Sequence, residues 1–148
     1  MTYDTVVSDL FQRFPQFQAA YDANFAYMGE QTPGAYVVFG TIVIPALEEA
    51  LAAGDLARIL QICAFLEDAA EAARKDSALE ALLGTEVGEW LAGAANETSL
   101  ARWLGPETKR ICRYVPGLAT QRIAMRTAQD TQGVRARFSS CLKRLRGR

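Results

Sequence analysis

The sequence predicts an all-α domain of about six to seven helices, packed as antiparallel pairs in a HEAT-like stack or an irregular bundle. Helix-capping residues, prolines and glycines recur along the chain at intervals that suit helices with short connections. Between these signals, apolar residues recur every three or four positions, as on the buried face of a helix. With 148 residues, 50% of them apolar, the chain is large enough for one domain with a continuous core.

The first two predicted helices form a hairpin. Residues 3–14 carry apolar side chains at helical spacing and end at Pro15, which disfavours helical geometry at Phe14. Residues 15–28 repeat aromatic side chains every three or four positions and end at Gly29. Helices joined by so short a connection are antiparallel neighbours.

The third segment, YVVFGTIVIPALEEALAAGD, allows two interpretations. Its valines and isoleucines suit a strand over 36–44, whereas Thr32 and Gly54 suit the two caps of a helix. Pro45 lacks a backbone donor and clashes with the carbonyl four residues earlier, so such a helix should kink near Thr41. A strand here would have no pairing partner, and we therefore predict a kinked, largely buried helix.

Two further helices are expected before residue 95. Asp55 precedes a predicted helix over 56–74, on which an apolar stripe runs along one face. The stripe consists of Leu56, Ile59, Leu60, Cys63, Leu66 and Ala70. Ser77 and Glu80 form a capping box for the next helix, which ends near Leu91.

The charge divides the chain into an acidic body and a basic C-terminal extension. A last helix of the body begins at Pro106 and ends before Pro116, so the body is predicted to span 1–115 and the extension 116–148. Residues 1–108 contain 5 Lys and Arg against 16 Asp and Glu, whereas 109–148 contain 11 against 1. Such asymmetry indicates an interaction surface or a charged tail.

Within the extension, residues 134–146 have the pattern of a basic amphipathic helix. The apolar positions are Val134, Phe138, Cys141, Leu142 and Leu145, and the flanking basic positions are Arg135, Arg137, Lys143, Arg144 and Arg146. This pattern suits nucleic acid, an anionic membrane or an acidic protein surface. It equally suits docking on the acidic body or on a second copy of the chain, or a segment that frays in solution.

Acidic residues recur at the edges of two predicted helices. They are Glu67, Asp68 and Glu71 on the first helix and Glu86 and Glu89 on the second. We predict these acids as the partner-binding surface, with Phe65 and Trp90 as its aromatic anchors. Phe65 falls opposite the apolar stripe, so either a second layer of helices or a partner covers it. Three interpretations of these acids are open. They belong to solvated helix faces or edges paired with Arg or Lys, they form a protein-binding patch, or they form a site for carboxylate or metal chemistry. The last of these needs convergent oxygens in a sheltered pocket.

Most reaction types lack their signatures in this chain. It has no histidine, the commonest general base and metal ligand, and no phosphate-binding, dinucleotide-binding, nucleophile-elbow or zinc-protease motif. We therefore expect a protein that is not an enzyme, with no catalytic residue, metal or cofactor. The three cysteines lack metal-ligand spacing, no signal peptide is recognisable, and the longest apolar run, 35–47, has 13 residues. We expect reduced thiols, no membrane span and a cytoplasmic location.

Three stretches taken together resemble a known group of proteins. YVVFGTIVIPALEEAL, ILQICAFLEDAAE, and LLGTEVGEWLAG followed by LGPETKR are similar to small helical bacterial proteins suspected to be immunity proteins of secreted polymorphic toxins. The resemblance covers roughly residues 5–112. It implies a short stack of antiparallel helix pairs similar to HEAT repeats.

The resemblance also implies a function. Glu67, Glu86 and Glu89 match its acidic positions, and Lys109 and Arg110 match its closing basic pair. The implied activity is tight binding of a cognate bacterial toxin, for which an acidic surface is suited when the toxin is basic. The alternative is a nucleic-acid-associated regulator that uses the basic extension.

Overall fold

Helices make up the regular structure of residues 1–29, 32–93, 100–114 and 117, which are the residues that the computed structural model describes. Six helical segments lie in these ranges and no strand does, which confirms the prediction of an all-α fold. The first two segments are α1 (Val6–Arg13) and α2 (Gln16–Phe25), which ends in a 3₁₀ turn (Ala26–Met28). The third is one continuous helix made of α3 (Ala35–Val38), a π segment (Phe39–Val43) and α4 (Ile44–Ala53). The fourth segment is α5 (Leu56–Ala72) with a 3₁₀ turn (Ala73–Lys75). The fifth is one continuous helix made of α6 (Ser77–Leu82), a π segment (Leu83–Val87) and α7 (Gly88–Gly93). The sixth is α8 (Pro106–Ile111).

Residues 35–53 form a helix, so the alternative of a strand over 36–44 is wrong. The irregularity expected near Thr41 takes the form of the π segment, in which the Ile44 N–H donates to the Phe39 carbonyl five residues earlier. A π turn widens the helix and relieves the clash that the ring of Pro45 would otherwise make. Gly54 ends the helix with φ of 66°, as predicted, while its N-cap is Gly34 and not Thr32.

The helix over 35–53 is longer than the apolar run of 13 residues, 35–47, that the sequence contains. Its 19 residues and mean hydropathy of 1.6 would suit a membrane span by length and composition. Half of that window is buried against the rest of the protein, as in the central helix of a helical domain.

Aspartates cap the next two helices. The Asp55 carboxylate accepts the Arg58 N–H at 3.0 Å, as predicted. The next cap is Asp76, not Ser77, because Asp76 Oδ1 accepts the Leu79 N–H at 3.0 Å. Its other oxygen accepts the Tyr3 N–H at 2.8 Å. These backbone hydrogen bonds lower the pKa of Asp76, and the bond from Tyr3 has the largest effect. The Tyr3 bond also fixes the N-terminal residues to α6.

Phenylalanines at the centre of the core join three helices. The Phe65 ring lies edge-on to Phe14, with centroids 5.8 Å apart, and 6.5 Å from Phe39. Phe11 and Tyr21 contact each other at 5.1 Å and close the α1–α2 hairpin. Aromatic pairs at these distances add to the free energy of area burial, so they hold the hairpin against the helices that follow.

The two helices that contain π segments belong to an internal repeat of 44 residues. Each residue of Leu83–Val87 lies 44 positions after its counterpart in Phe39–Val43, and the sequences FGTIV and LGTEV share three residues. The repeat continues as DLARIL at 55–60 and SLARWL at 99–104. Helix pairs of HEAT type have a period of about 40–47 residues. The repeat therefore supports a stack of related helix pairs over an irregular bundle.

Candidate protein-binding surface

The buried face of α5 is rotated relative to the predicted stripe. Leu56 and Leu60 are 46% and 42% exposed, whereas Ile62 and Phe65 are buried. Phe65 has no exposed surface because α1 and the helix over 35–53 cover it. The prediction of Phe65 as an aromatic anchor for a partner is therefore wrong, and the second layer of helices accounts for its apolar character.

Glu67 binds the start of α8. Its Oε1 accepts the Glu107 N–H at 2.9 Å, and its Oε2 accepts both the N–H and the hydroxyl of the buried Thr108, at 2.9 and 2.8 Å. A carboxylate is suited to this place because the first N–H groups of a helix have no partner within it. A Cβ on Gly105 would come 2.1 Å from Glu67 Cδ, so only glycine leaves room for the carboxylate. Glu67 is thus committed to an internal contact.

The two other acids of α5 differ in their surroundings. Asp68 forms an ion pair with Arg13 of α1, which agrees with the interpretation of these acids as helix-edge residues paired with Arg or Lys. Glu71 is exposed and stays a candidate for partner contact.

A second charged network lies next to Glu67. Glu107 accepts hydrogen bonds from Arg74 Nη2 at 2.6 Å and from Arg110 Nε at 2.9 Å. These two guanidinium groups lower the pKa of Glu107 to about 2, and Arg74 has the larger effect. Arg110 also reaches Glu80 at 3.5 Å. This network fastens α8 to the rest of the body.

Glu86 and Trp90 lie against the helix over 35–53, and Glu89 lies near Glu86. Trp90 Nε1 donates to Glu48 Oε1 at 2.8 Å, and a Cβ on Gly40 would lie 2.9 Å from Glu86 Oε2. Trp90 and Glu86 are partly buried, whereas Glu48 and Glu89 are exposed. Among the described lysines and arginines, none forms an ion pair with any of the three carboxylates. We call Glu48, Glu86, Glu89 and Trp90 the Trp90 face.

Glu86 is an unusual residue for its place in the stack. Burial, and secondly the charge of Glu89, raise the pKa of Glu86. Its counterpart 44 positions earlier is Ile42, which is 3% exposed. A partly desolvated carboxylate thus stands where the related helix has an apolar side chain. Packing alone does not require this charge, which marks Glu86 as a candidate functional residue.

Comparison of the chain with protein-family models, with curated proteins and with solved structures finds no match.

Two further predictions concern metals and the basic extension. Within the described residues, no group of three or more Cys, Asp or Glu side chains could hold a metal ion. Arg135, Arg137, Lys143, Arg144 and Arg146 lie outside the described residues, as does the predicted helix over 134–146.

Sequence reasoning missed Glu48 as a partner of Trp90 and Thr108 as a partner of Glu67. The internal repeat was a usable signal for the first pair. It aligns the helices over 35–53 and 77–93 and thereby predicts that they are successive members of one layer. The second pair had a weaker signal, the Gly-Pro-Glu-Thr start of a helix that lacks a capping side chain of its own.

Proposed function

We propose that this protein is a non-enzymatic protein-binding domain of the immunity type, which neutralises a cognate bacterial toxin by binding it through the Trp90 face. The observation that carries the proposal is Glu86, a partly buried carboxylate at a packing position, beside a partly exposed tryptophan. The resemblance to immunity-type proteins, which matches Glu86 and Glu89, agrees with this choice.

The chemistry of the Trp90 face suits a basic partner. Its three carboxylates attract a positively charged surface over long range and speed the encounter. Trp90 offers a large, partly apolar ring held in one orientation by its hydrogen bond to Glu48. Tryptophan is enriched among the residues that dominate binding energy, and its face also accepts a guanidinium or ammonium group. A basic toxin surface that presents Arg or Lys therefore matches this face in charge and shape.

The test is co-expression of the full chain with the product of the neighbouring gene, with bacterial growth and co-purification as readouts. Trp90→Ala and Glu89→Lys should weaken co-purification and growth rescue, because they remove the ring and reverse an exposed charge. Glu71→Lys reverses an exposed carboxylate on α5 that lies outside the Trp90 face. Binding through the Trp90 face alone predicts no effect of this variant, whereas weaker binding would extend the surface to α5, as the sequence predicted. Circular dichroism should show that all three variants keep the helical fold.

The outcomes separate the proposed surface from the proposed class. Loss of binding by the Trp90 and Glu89 variants, with the Glu71 variant unchanged, supports the Trp90 face. Equal binding by all variants rules out this face as the binding surface. Absence of both co-purification and growth rescue with the unaltered chain contradicts the immunity-type function.

A further inference from the structure

A groove of about 490 Å³ lies between α2 and the helix over 35–53. Its floor contains the buried apolar side chains of Phe17, Ile42 and Ala46. Its rim is polar and includes Gln16, Asn24, Thr41, Glu49 and Arg58. Small-molecule sites in proteins have volumes of about 300–1,000 Å³ and contain a few polar groups that fix the orientation of the ligand. The groove therefore has the size of such a site, and its mixed lining suits a ligand with an apolar body and a charged end.

The internal repeat shows why this space exists. Ala46 is the counterpart of Trp90, which lies 44 positions later. The Trp90 ring extends to the preceding helix of the stack, where its Nε1 donates to Glu48. The helix over 35–53 has only a methyl group at this position, and the small side chain of Ala20 lines the same groove from α2. Space that an aromatic ring occupies in one interface is therefore open in the other.

Arg58 and Glu49 place two opposite charges together at the rim of the groove. Arg58 Nη2 lies 3.6 Å from Glu49 Oε2, which is too long for a hydrogen bond, and the Arg58 Nε is buried without an acceptor among the described residues. Arg74 and Arg110, by contrast, donate to Glu107 at 2.6 and 2.9 Å. Because the Glu49 side chain is 71% exposed, its ion pair with Arg58 contributes little to stability. A ligand can therefore separate these two charges at small cost and bind both.

We propose that this groove binds a free aromatic amino acid. Its α-carboxylate accepts hydrogen bonds from Arg58 and its α-ammonium group donates to Glu49, since a zwitterion matches a site with one charge of each sign. Its ring lies on Ala46, in the space that corresponds to the Trp90 ring. The Phe17 ring is a second apolar contact, and the Arg58 Cζ lies 5.8 Å from its centroid, so the apolar and charged parts of the site are held together.

The two charges favour a free amino acid over an aromatic side chain of a protein partner. A residue within a polypeptide has neither an α-carboxylate nor an α-ammonium group, so it leaves Arg58 and Glu49 unmatched. A ligand with a single negative charge is repelled by Glu49, and one with a single positive charge is repelled by Arg58. A zwitterion with an apolar ring satisfies both groups and the floor of the groove.

The experiment is isothermal titration calorimetry of the full chain with L-phenylalanine and L-tryptophan as probes. We expect saturable binding of both. L-alanine has the same charges without the ring, and N-acetylphenylalanine amide has the ring without the charges. Each of these two compounds should bind at least about tenfold more weakly than L-phenylalanine, because each lacks one half of the match.

Two matched pairs of variants locate the binding site. Ala20→Trp fills the groove from α2 and should abolish binding of L-phenylalanine, whereas Ala19→Trp adds the same side chain at an exposed position outside the groove and should not change it. Arg58→Gln should weaken binding at least about tenfold because it removes the cation. Arg102→Gln, at the counterpart of Arg58, should have no effect. Circular dichroism checks that all four variants keep the helical fold.

Three results would overturn the proposal. The first is that neither probe binds saturably to the original chain. The second is binding that Ala20→Trp and Arg58→Gln leave unchanged, because the ligand would then lie elsewhere. The third is binding of N-acetylphenylalanine amide as tight as that of L-phenylalanine, which would favour an aromatic side chain of a protein partner.

Discussion

Glu67 on α5 holds Thr108 at the start of α8 through one carboxylate oxygen, which accepts the backbone N–H at 2.9 Å and the hydroxyl at 2.8 Å. Its other oxygen accepts the Glu107 N–H at 2.9 Å. Because α8 has six residues, it is too short to be stable alone. The position of α8 therefore depends on a side chain that lies 40 and 41 residues away in the sequence.

Removal of this carboxylate should destabilise the protein. Glu67→Ala leaves two backbone N–H groups and a buried hydroxyl without their acceptor, which costs about 2 kcal/mol of unfolding free energy. Urea denaturation measures this change. Glu71→Ala, an exposed substitution on the same helix, should change the free energy by less than about 0.5 kcal/mol. A Glu67→Ala variant as stable as the original chain would show that the contact does not hold α8.

Gly105 and Gly40 each lie against a glutamate carboxylate, yet substitution by alanine should change the stability of the protein in opposite directions. Gly105→Ala places a Cβ 2.1 Å from Glu67 Cδ, and Glu67 cannot move without losing α8, so we expect a loss of about 2 kcal/mol. In Gly40→Ala the Cβ meets only the end of the flexible Glu86 side chain, with Oε2 at 2.9 Å and Cδ at 3.9 Å. The higher helix propensity of alanine should then raise stability by up to about 1 kcal/mol. Thermal denaturation of both variants tests this contrast, and an equal loss in the two would contradict it.

The stability contribution of Glu107 should depend on pH. Its pKa falls from 4.5 to about 2 on folding because Arg74 and Arg110 bind the carboxylate. A lowered pKa stabilises the folded state above pH 4.5, and this stabilisation is lost as the pH falls from 4.5 towards 2. Glu107→Gln should therefore show a shallower decrease of unfolding free energy across this range, measured by urea denaturation. Arg74→Met should give an intermediate slope, and a Gln variant with the original slope would contradict the assignment.

Glu86 should reduce stability at neutral pH while supporting binding. Burial raises its pKa, so the folded state disfavours the charged form, and Glu86→Gln should raise the unfolding free energy at neutral pH. The gain should shrink at low pH, where Glu86 is protonated in both states. The same variant should bind the proposed partner more weakly, a trade-off that is common at functional sites. A Gln variant that is less stable at neutral pH would show that the Glu86 charge serves the fold.

The fold was predictable because local signals agreed with one another. Asp55 and Gly54 marked a helix boundary through chemistry that acts over a few residues, and both assignments are confirmed. The buried face of α5 was not predictable from one apolar stripe placed at the helical rotation of about 100° per residue. Neighbours from two layers cover Phe65, and no local pattern shows how many layers a fold has.

The candidate site was less predictable than the fold. The sequence placed five acids on two helices, but whether a carboxylate is free or occupied depends on residues distant in the chain. Glu67 and Asp68 are occupied by Thr108 and Arg13, and neither contact has a signal in local spacing. Trp90 was identified as an aromatic candidate, whereas its partner Glu48 required knowledge of the helix layer.

The coverage of the helix over 35–53 by α2 also limits how copies of the chain can associate. A repeat stack with two complementary open ends would add copies head to tail, and such contacts generate open filaments unless the rotation closes a ring. Here Ile42 and Ala46 are 3% and 5% exposed, and α2, from a helix pair outside the repeat, lies beside them. The α1–α2 hairpin therefore occupies the face on which a further helix pair would pack at that end, in addition to its part in the core.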